Sequence, residues 1–205
     1  MLDAKRIPNA ILRLQSACNV GYMVFPMEER KCLKGKNRLI CAYGELNYLL
    51  EKFGAAEGFF RRILQCPNSD NVEKAMAHIG LGACSDLQGK PDEKEHFEKA
   101  LELSKKSPVY GNALMRLGLM YVSSSPNWTK ELEFFEEYLK LYREGGVYWK
   151  KAKFHQMLCY AHVDVAKAKR LFLESGFEKK YPDSGYTKSL RKMLFENNGK
   201  KEAVK

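Results

Sequence analysis

Four phenylalanines, Phe60, Phe97, Phe135 and Phe172, stand 37, 38 and 37 residues apart. A second series, Tyr43, Leu81, Leu117 and Leu158, keeps nearly the same step at 38, 36 and 41. Unrelated helices have no reason to hold such a register. A period within about 20–50 residues marks units that can bury an apolar face only on their neighbours. The spacing therefore predicts a stack of about four similar units rather than one closed core.

Within each period two helical stripes are separated by a turn. The clearest copy lies in Ala75 to Pro108, where Leu81-Gly82 precedes a turn at Gln88-Gly89-Lys90-Pro91 and a second stripe follows at Phe97, Ala100, Leu101 and Leu103. Glycine in a helix interior costs about 1 kcal/mol relative to alanine, so Gly82 predicts a second helix crossing close to its backbone. The units read as 38–67, 72–108, 110–145 and 147–181. Their helices are expected at Arg38 to Glu51 and Ala55 to Gln65, then on both sides of the Gln88 turn. The later ones are expected at Tyr110 to Val122, after a Thr129 N-cap, at Val147 to His162, and at Val165 to Ser175. Residues 1–37 read as a capping helix (Ile7, Ala10, Ile11, Leu14, Cys18) followed, over 26–37, by a charged connector or the start of the next helix from about Glu28. Residues 182–205 read as a closing helix with Leu190 and Leu194, ending in a basic, disordered tail from Lys200. Prolines 67, 91, 108, 126 and 182 fall between the stripes as helix punctuation, and the class is all-α.

Composition narrows the setting. Asp3, Asn9, Arg13, Gln15 and Asn19 interrupt the N-terminal apolar stretch, so neither a signal peptide nor a membrane anchor is expected there, and no later segment is long and apolar enough to span a bilayer. The six cysteines form no CxxC pair, which suits reduced thiols in a cytoplasmic protein. The net charge of +10 is uneven: residues 1–67 carry +5, 68–107 carry −2, 108–145 carry −1 and 146–205 carry +8. Such ends attract RNA, acidic peptides or anionic surfaces, or serve only as solubilising faces.

Leu81-Gly82, Gly89 and Phe97-Glu-Lys-Ala100-Leu101, with Leu117-Gly118, Tyr121 and Phe135 in the next unit, resemble the tetratricopeptide repeat (TPR), whose period is about 34 residues. The pattern is degenerate. Cys159 stands where Gly118 stands, and Glu93 and Glu131 replace the small residue four places before the second-helix phenylalanine. The resemblance implies a right-handed superhelical α-solenoid of about four helix-turn-helix repeats with capping helices. It also implies a concave groove, lined by the first helix of each pair, that holds an extended peptide or a partner helix. Carried over by register from Gly44, Gly82, Gly118 and Cys159, the groove positions are Arg38, Cys41, Glu45 and Tyr48, then Met76, Ile79, Ala83 and Asp86. The later units give Asn112, Met115, Leu119 and Val122, then Lys153, Gln156, Tyr160 and Val163. Of the set with which chaperone co-factors of this family clamp a C-terminal carboxylate, only Arg116 is matched, so that activity is not expected.

Chemistry has few footholds. His155, Cys159 and His162 share a helix face at i, i+4 and i+7 and are metal-ligand types, yet the register already requires packing residues at all three, and no fourth ligand is evident. His78 occupies the packing position equivalent to His155 and reads as a core histidine. No Gly-rich phosphate loop follows a strand, and only Cys159 has a histidine within reach, at a position the register buries. No enzyme activity, metal or cofactor is therefore expected. The basic C-terminal quarter, with Lys150, Lys151, Lys167, Lys169, Arg170, Lys188, Arg191 and Lys192 among Tyr148, Trp149, Tyr181 and Tyr186, has the ingredients of a nucleic-acid or anion patch. The reading is thus an adaptor that binds protein or peptide, with RNA binding through the basic quarter as the alternative.

Overall fold

The computed structural model describes Phe25, Glu29 and residues 33–124 and 127–196. The capping helix expected around Ile7 to Cys18 and the tail from Lys200 lie outside the described residues. Among those described, the elements are all helical: α1 (Gly35–Leu49), α2 (Phe53–Gln65), α3 (Asn71–Gln88), α4 (Glu93–Ser104), α5 (Tyr110–Ser124), α6 (Trp128–Leu141), α7 (Trp149–Val163), α8 (Val165–Glu174), α9 (Phe177–Lys180) and α10 (Gly185–Arg191), closed by a π-helical turn at Lys192–Glu196. The described residues up to Arg116 form one compact unit and those from Leu117 a second. In the first, α2 packs on α1, α3 on α2 and α4 on α3. In the second, α7 packs on α6, and both α8 and α10 pack on α7. Helices that pack in sequence order are the arrangement of an α-solenoid.

The phenylalanine register is the packing register. Phe60, Phe97, Phe135 and Phe172 are each at most 1% exposed, and full burial of such a side chain stabilises by about 1.5–3 kcal/mol. Each of the first three sits on a glycine. A Cβ added to Gly44 would come within 2.7 Å of the Phe60 ring, one on Gly80 within 2.7 Å of the same ring, one on Gly82 within 2.5 Å of Phe97 and one on Gly118 within 2.8 Å of Phe135. The close crossing inferred from Gly82 is therefore present, and it recurs. Gly82→Ala is expected to cost about 1–3 kcal/mol through overpacking, read as a lower urea midpoint with an unchanged slope. The second series is less uniform. Leu81 and Leu117 are buried, Leu158 is half-buried, and Tyr43 is exposed and stacks on Phe59 at 5.6 Å.

Caps fix where the helices begin and end. At the start of α3, Asp70 accepts the Glu73 amide at 2.9 Å while the Glu73 carboxylate accepts the Asp70 amide at 3.2 Å, which satisfies two N-terminal donors reciprocally. The same carboxylate accepts from Asn37 Nδ2 at 2.8 Å and from the Lys34 amide at 3.1 Å, so it ties the start of α1 to the start of α3. Gly89 then ends α3 in the left-handed conformation at φ +63°, which glycine adopts without steric penalty. The N-cap of α6 is Asn127, not Thr129: the Asn127 side chain accepts the Lys130 amide at 3.1 Å, and the Glu131 carboxylate accepts the Asn127 amide at 3.1 Å. With α6 starting at Trp128, Thr129 falls inside its first turn.

Candidate functional site

In the first unit, the residues assigned to the groove by register divide into a buried strip and an open rim. Cys41, Glu45, Met76, Ile79, Ala83, Asn112 and Met115 are buried, Met76 at 0% exposure and Met115 at 2%. The methionines therefore contribute to the core and offer no contact surface. The reason lies in α3, whose residues from Ala75 to Ser85 are buried almost without interruption, His78 being half-buried; a helix apolar all round is enclosed on every side. Arg38 and Asp86 are exposed and Tyr48 is half-buried. Tyr48 on α1 lies close enough to Arg116 on α5 and Asp86 on α3 for both charges to act on its phenol. Its phenol is pushed above its ordinary value by burial, with the guanidinium acting in the opposite sense. These three helices thus bring one aromatic, one cation and one carboxylate together at the edge of an apolar strip.

Buried acids in the first unit include the groove-register Glu45 and Glu29, to which the spacing assigned no role. Glu45, 3% exposed, accepts the Phe25 amide at 3.1 Å, and Asn112 Nδ2 donates to Glu29 at 2.8 Å across 83 residues. Phe25, Glu29 and Leu33 are themselves buried. Only the four-residue spacing of Phe25, Glu29 and Leu33 could have signalled this, because the charged surroundings of that segment suggest a connector.

In the second unit, the groove-register residues bond mainly to one another and to neighbouring helices. Tyr160, 6% exposed, donates to Glu136 on α6 at 2.5 Å and accepts from Lys167 on α8 at 2.5 Å, while Lys167 also lies 4.1 Å from the Tyr160 ring centroid. Lys153 donates to Gln156 at 2.9 Å, and burial lowers its ammonium pKa from the ordinary value. Glu131, at a position where the repeat pattern has a small residue, is fully buried, and its carboxylate accepts from Cys159 Sγ at 3.6 Å. Burial raises its pKa as well as that of the Cys159 thiol.

The basic quarter is similarly engaged. Lys150 lies 4.8 Å from the Tyr181 centroid and 5.8 Å from that of Tyr186, and Lys169 lies 5.5 Å from that of Phe195. Arg191 pairs with Glu178. Tyr186 stacks on Phe154 at 4.6 Å and Tyr181 packs edge-on against Phe177 at 5.1 Å. Lys151 is half-buried, while Arg170, Lys188 and Lys192 are exposed. The Tyr181 and Tyr186 faces that unpaired bases would stack on are thus already in contact with protein groups.

His155, His78 and His96 are packing groups whose pKa values burial lowers. His155 lies between Phe135 at 5.1 Å and Phe154 at 5.0 Å, and burial lowers its pKa to about 4. His162 is exposed and stacks on Trp128 at 3.9 Å, so the shared helix face does not bring the three ligand-type residues together. His78 is half-buried, and its Nδ1 lies 3.1 Å from Nδ1 of His96, so one ring donates and the other accepts. Burial and that neighbour lower its pKa to about 4. Among the described residues, no group of three His, Cys, Asp or Glu side chains is placed to hold a metal ion. No described helix is long and apolar enough to cross a membrane.

Consecutive helix packing, with aromatic side chains of second helices seated against glycines of first helices, defines an all-α helical-repeat protein. The fold is similar to that seen in the crystal structure of the apo form of RapI. The match has a TM-score of 0.66 and covers 91% of this chain and 72% of that one at 14% identity. No protein-family model matches the chain, and no curated protein matches it in sequence.

Proposed function

We propose that this chain is a non-enzymatic interaction scaffold of the tetratricopeptide type, holding a protein segment or partner helix along the first helices of its repeats. The observation that carries the reading is the convergence of Tyr48, Asp86 and Arg116 from α1, α3 and α5 beside a buried apolar strip. The exposed and half-buried rim offers a partner an aromatic, a cation and a carboxylate that orient it, while the buried strip beneath holds the helices that carry them. The helical-repeat fold supports it, since such stacks present extended binding surfaces. The buried, unbridged Cys41, Cys84 and Cys159 suit a reducing compartment such as the cytoplasm. RNA binding is the weaker reading, because Lys150, Lys167 and Arg191 are engaged with neighbouring side chains, and Tyr160, Tyr181 and Tyr186 are as well.

Arg38 and Asp86 are exposed, so an Arg38→Ala, Asp86→Ala variant should keep the wild-type melting temperature to within a few degrees. Affinity capture with this variant beside wild type, with and without nuclease, is expected to lose specific protein partners while nuclease leaves them unchanged. Partners indifferent to both substitutions, or released by nuclease, would count against the scaffold reading.

A further inference from the structure

In the second unit, α8 and the π-helical turn after α10 carry large apolar side chains on their outer surface. Leu173 on α8 is 64% exposed, more than any other large apolar side chain among the described residues, and Phe195 in the turn is 43% exposed. The two belong to one surface. The turn packs on α8, where the Phe195 ring centroid lies 5.8 Å from that of Phe172 and 5.5 Å from Lys169 Nζ. Lys169 precedes Leu173 by four places, the interval that makes helix side chains neighbours, so it links Phe195 to Leu173. Around this pair, Arg170 precedes Leu173 by three places, Lys192 precedes Phe195 by three, and Lys188 precedes Lys192 by four. Arg170, Lys188 and Lys192 are exposed and form no ion pair among the described residues. Arg191 pairs with Glu178. Glu174 and Glu196 are the acids adjacent to Leu173 and Phe195 in sequence, and the four cations outnumber them.

A single exposed leucine is ordinary. A leucine and a phenylalanine on one surface, set among unpaired lysines and arginines, have the composition of elements that lie in the interface of a bilayer. Cations are drawn to negative headgroups, and the aliphatic and aromatic tips descend between them. The same charge attracts RNA, but unpaired bases need open aromatic faces. Leu173 offers none, and Phe195 is in contact with Phe172 and Lys169. A protein partner would need a pocket opposite each projecting side chain, whereas a headgroup layer yields to their shape. We propose that α8, α10 and the π-helical turn form a peripheral docking surface for anionic lipid bilayers, with Leu173 and Phe195 entering the headgroup layer and Arg170, Lys188 and Lys192 meeting its negative charge. The docking is peripheral, since no described helix is long and apolar enough to cross a membrane. It goes beyond the scaffold reading by giving the protein a second, lipid partner, and it does not depend on Arg38 or Asp86.

The test is co-sedimentation of the full chain with phosphatidylcholine vesicles, with and without about 30% phosphatidylserine, at physiological salt. Wild type is expected to bind the phosphatidylserine vesicles at least about tenfold more tightly than the neutral ones. Each cation near an anionic surface is worth about fivefold in binding, so Lys188→Gln with Lys192→Gln is expected to weaken it about twentyfold. Leu173→Ser with Phe195→Ser is expected to weaken it at least about tenfold. Because Phe195 also touches Phe172, Leu173→Ser alone, at a site too exposed to disturb the fold, is the second variant, with an expected loss of about fivefold. No binding to the phosphatidylserine vesicles, or equal binding to both compositions, would overturn the proposal. So would binding that the Leu173 variant leaves unchanged, because charge alone would then account for it. Tighter binding to polyuridylate than to the vesicles at the same salt would assign the patch to nucleic acid and overturn it as well. Capture of protein partners through Arg38 and Asp86 is read in a separate experiment, so the two readings fail independently.

Discussion

Phe60→Ala is expected to destabilise the first unit by about 3–5 kcal/mol. The Phe60 ring is 0% exposed and is wedged between the backbones of Gly44 on α1 and Gly80 on α3, with the Phe25 ring edge-on at 6.3 Å. Neither glycine has a side chain that could move into the vacated space, so the cavity would stay open and the full cost would be felt. A loss of that size is a large share of the about 5–15 kcal/mol that ordinarily separates folded from unfolded states. Urea titration by circular dichroism is the measurement. A loss below about 1 kcal/mol would mean that the two leading helices do not rest on this ring.

Mild acid is expected to produce the second large effect. Burial lowers the pKa of both His78 and His155 from 6.5 to about 4. Between those values the unfolded chain binds more protons than the folded one, so the stability these residues contribute is complete above pH 6.5 and is lost as pH falls towards 4. For His155, enclosed by Phe135 and Phe154 with Lys151 as the cationic neighbour, the loss is about 3 kcal/mol. For half-buried His78 it is smaller, because solvent screens the charge. His78 faces His96, whose own pKa is lowered and whose Nε2 lies 3.8 Å from Asp92, with Glu95 and Lys99 nearby. The melting temperature is therefore expected to fall by about 10 °C between neutral pH and the low end of that window, and His155→Leu should flatten the decline. A flat profile in wild type would show that neither histidine must stay neutral in the fold.

Packing was far more legible in the sequence than polar contacts. The Phe60, Phe97, Phe135 and Phe172 register and the glycines under the first three rings follow from local spacing, because a helix face repeats every few residues and a close crossing needs a missing Cβ. The same logic misdirects at Met76 and Met115. Counting from Gly82 and Gly118 puts them on the inward face, but counting cannot reveal that this face is covered in the first unit. The covering contacts, Phe25 to Glu45 and Glu29 to Asn112, join residues 20 and 83 positions apart, and no periodicity links such partners. Tyr160 shows a further limit. Its position is inward by register, yet its hydroxyl reaches Glu136 and Lys167 on the flanking helices α6 and α8, because a long polar side chain follows its hydrogen-bond partners more than its Cβ direction.

Photo-crosslinking from individual sites tests the scaffold reading most directly. A benzophenone side chain at the exposed positions of Arg38 and Asp86, compared with one at the exposed Arg170 and Lys188 of the basic quarter, reports what touches each surface in cell extract. Discrete protein adducts that survive nuclease are expected from the first two positions. Nucleic-acid adducts at the last two positions, with none at Arg38 or Asp86, would contradict the scaffold reading.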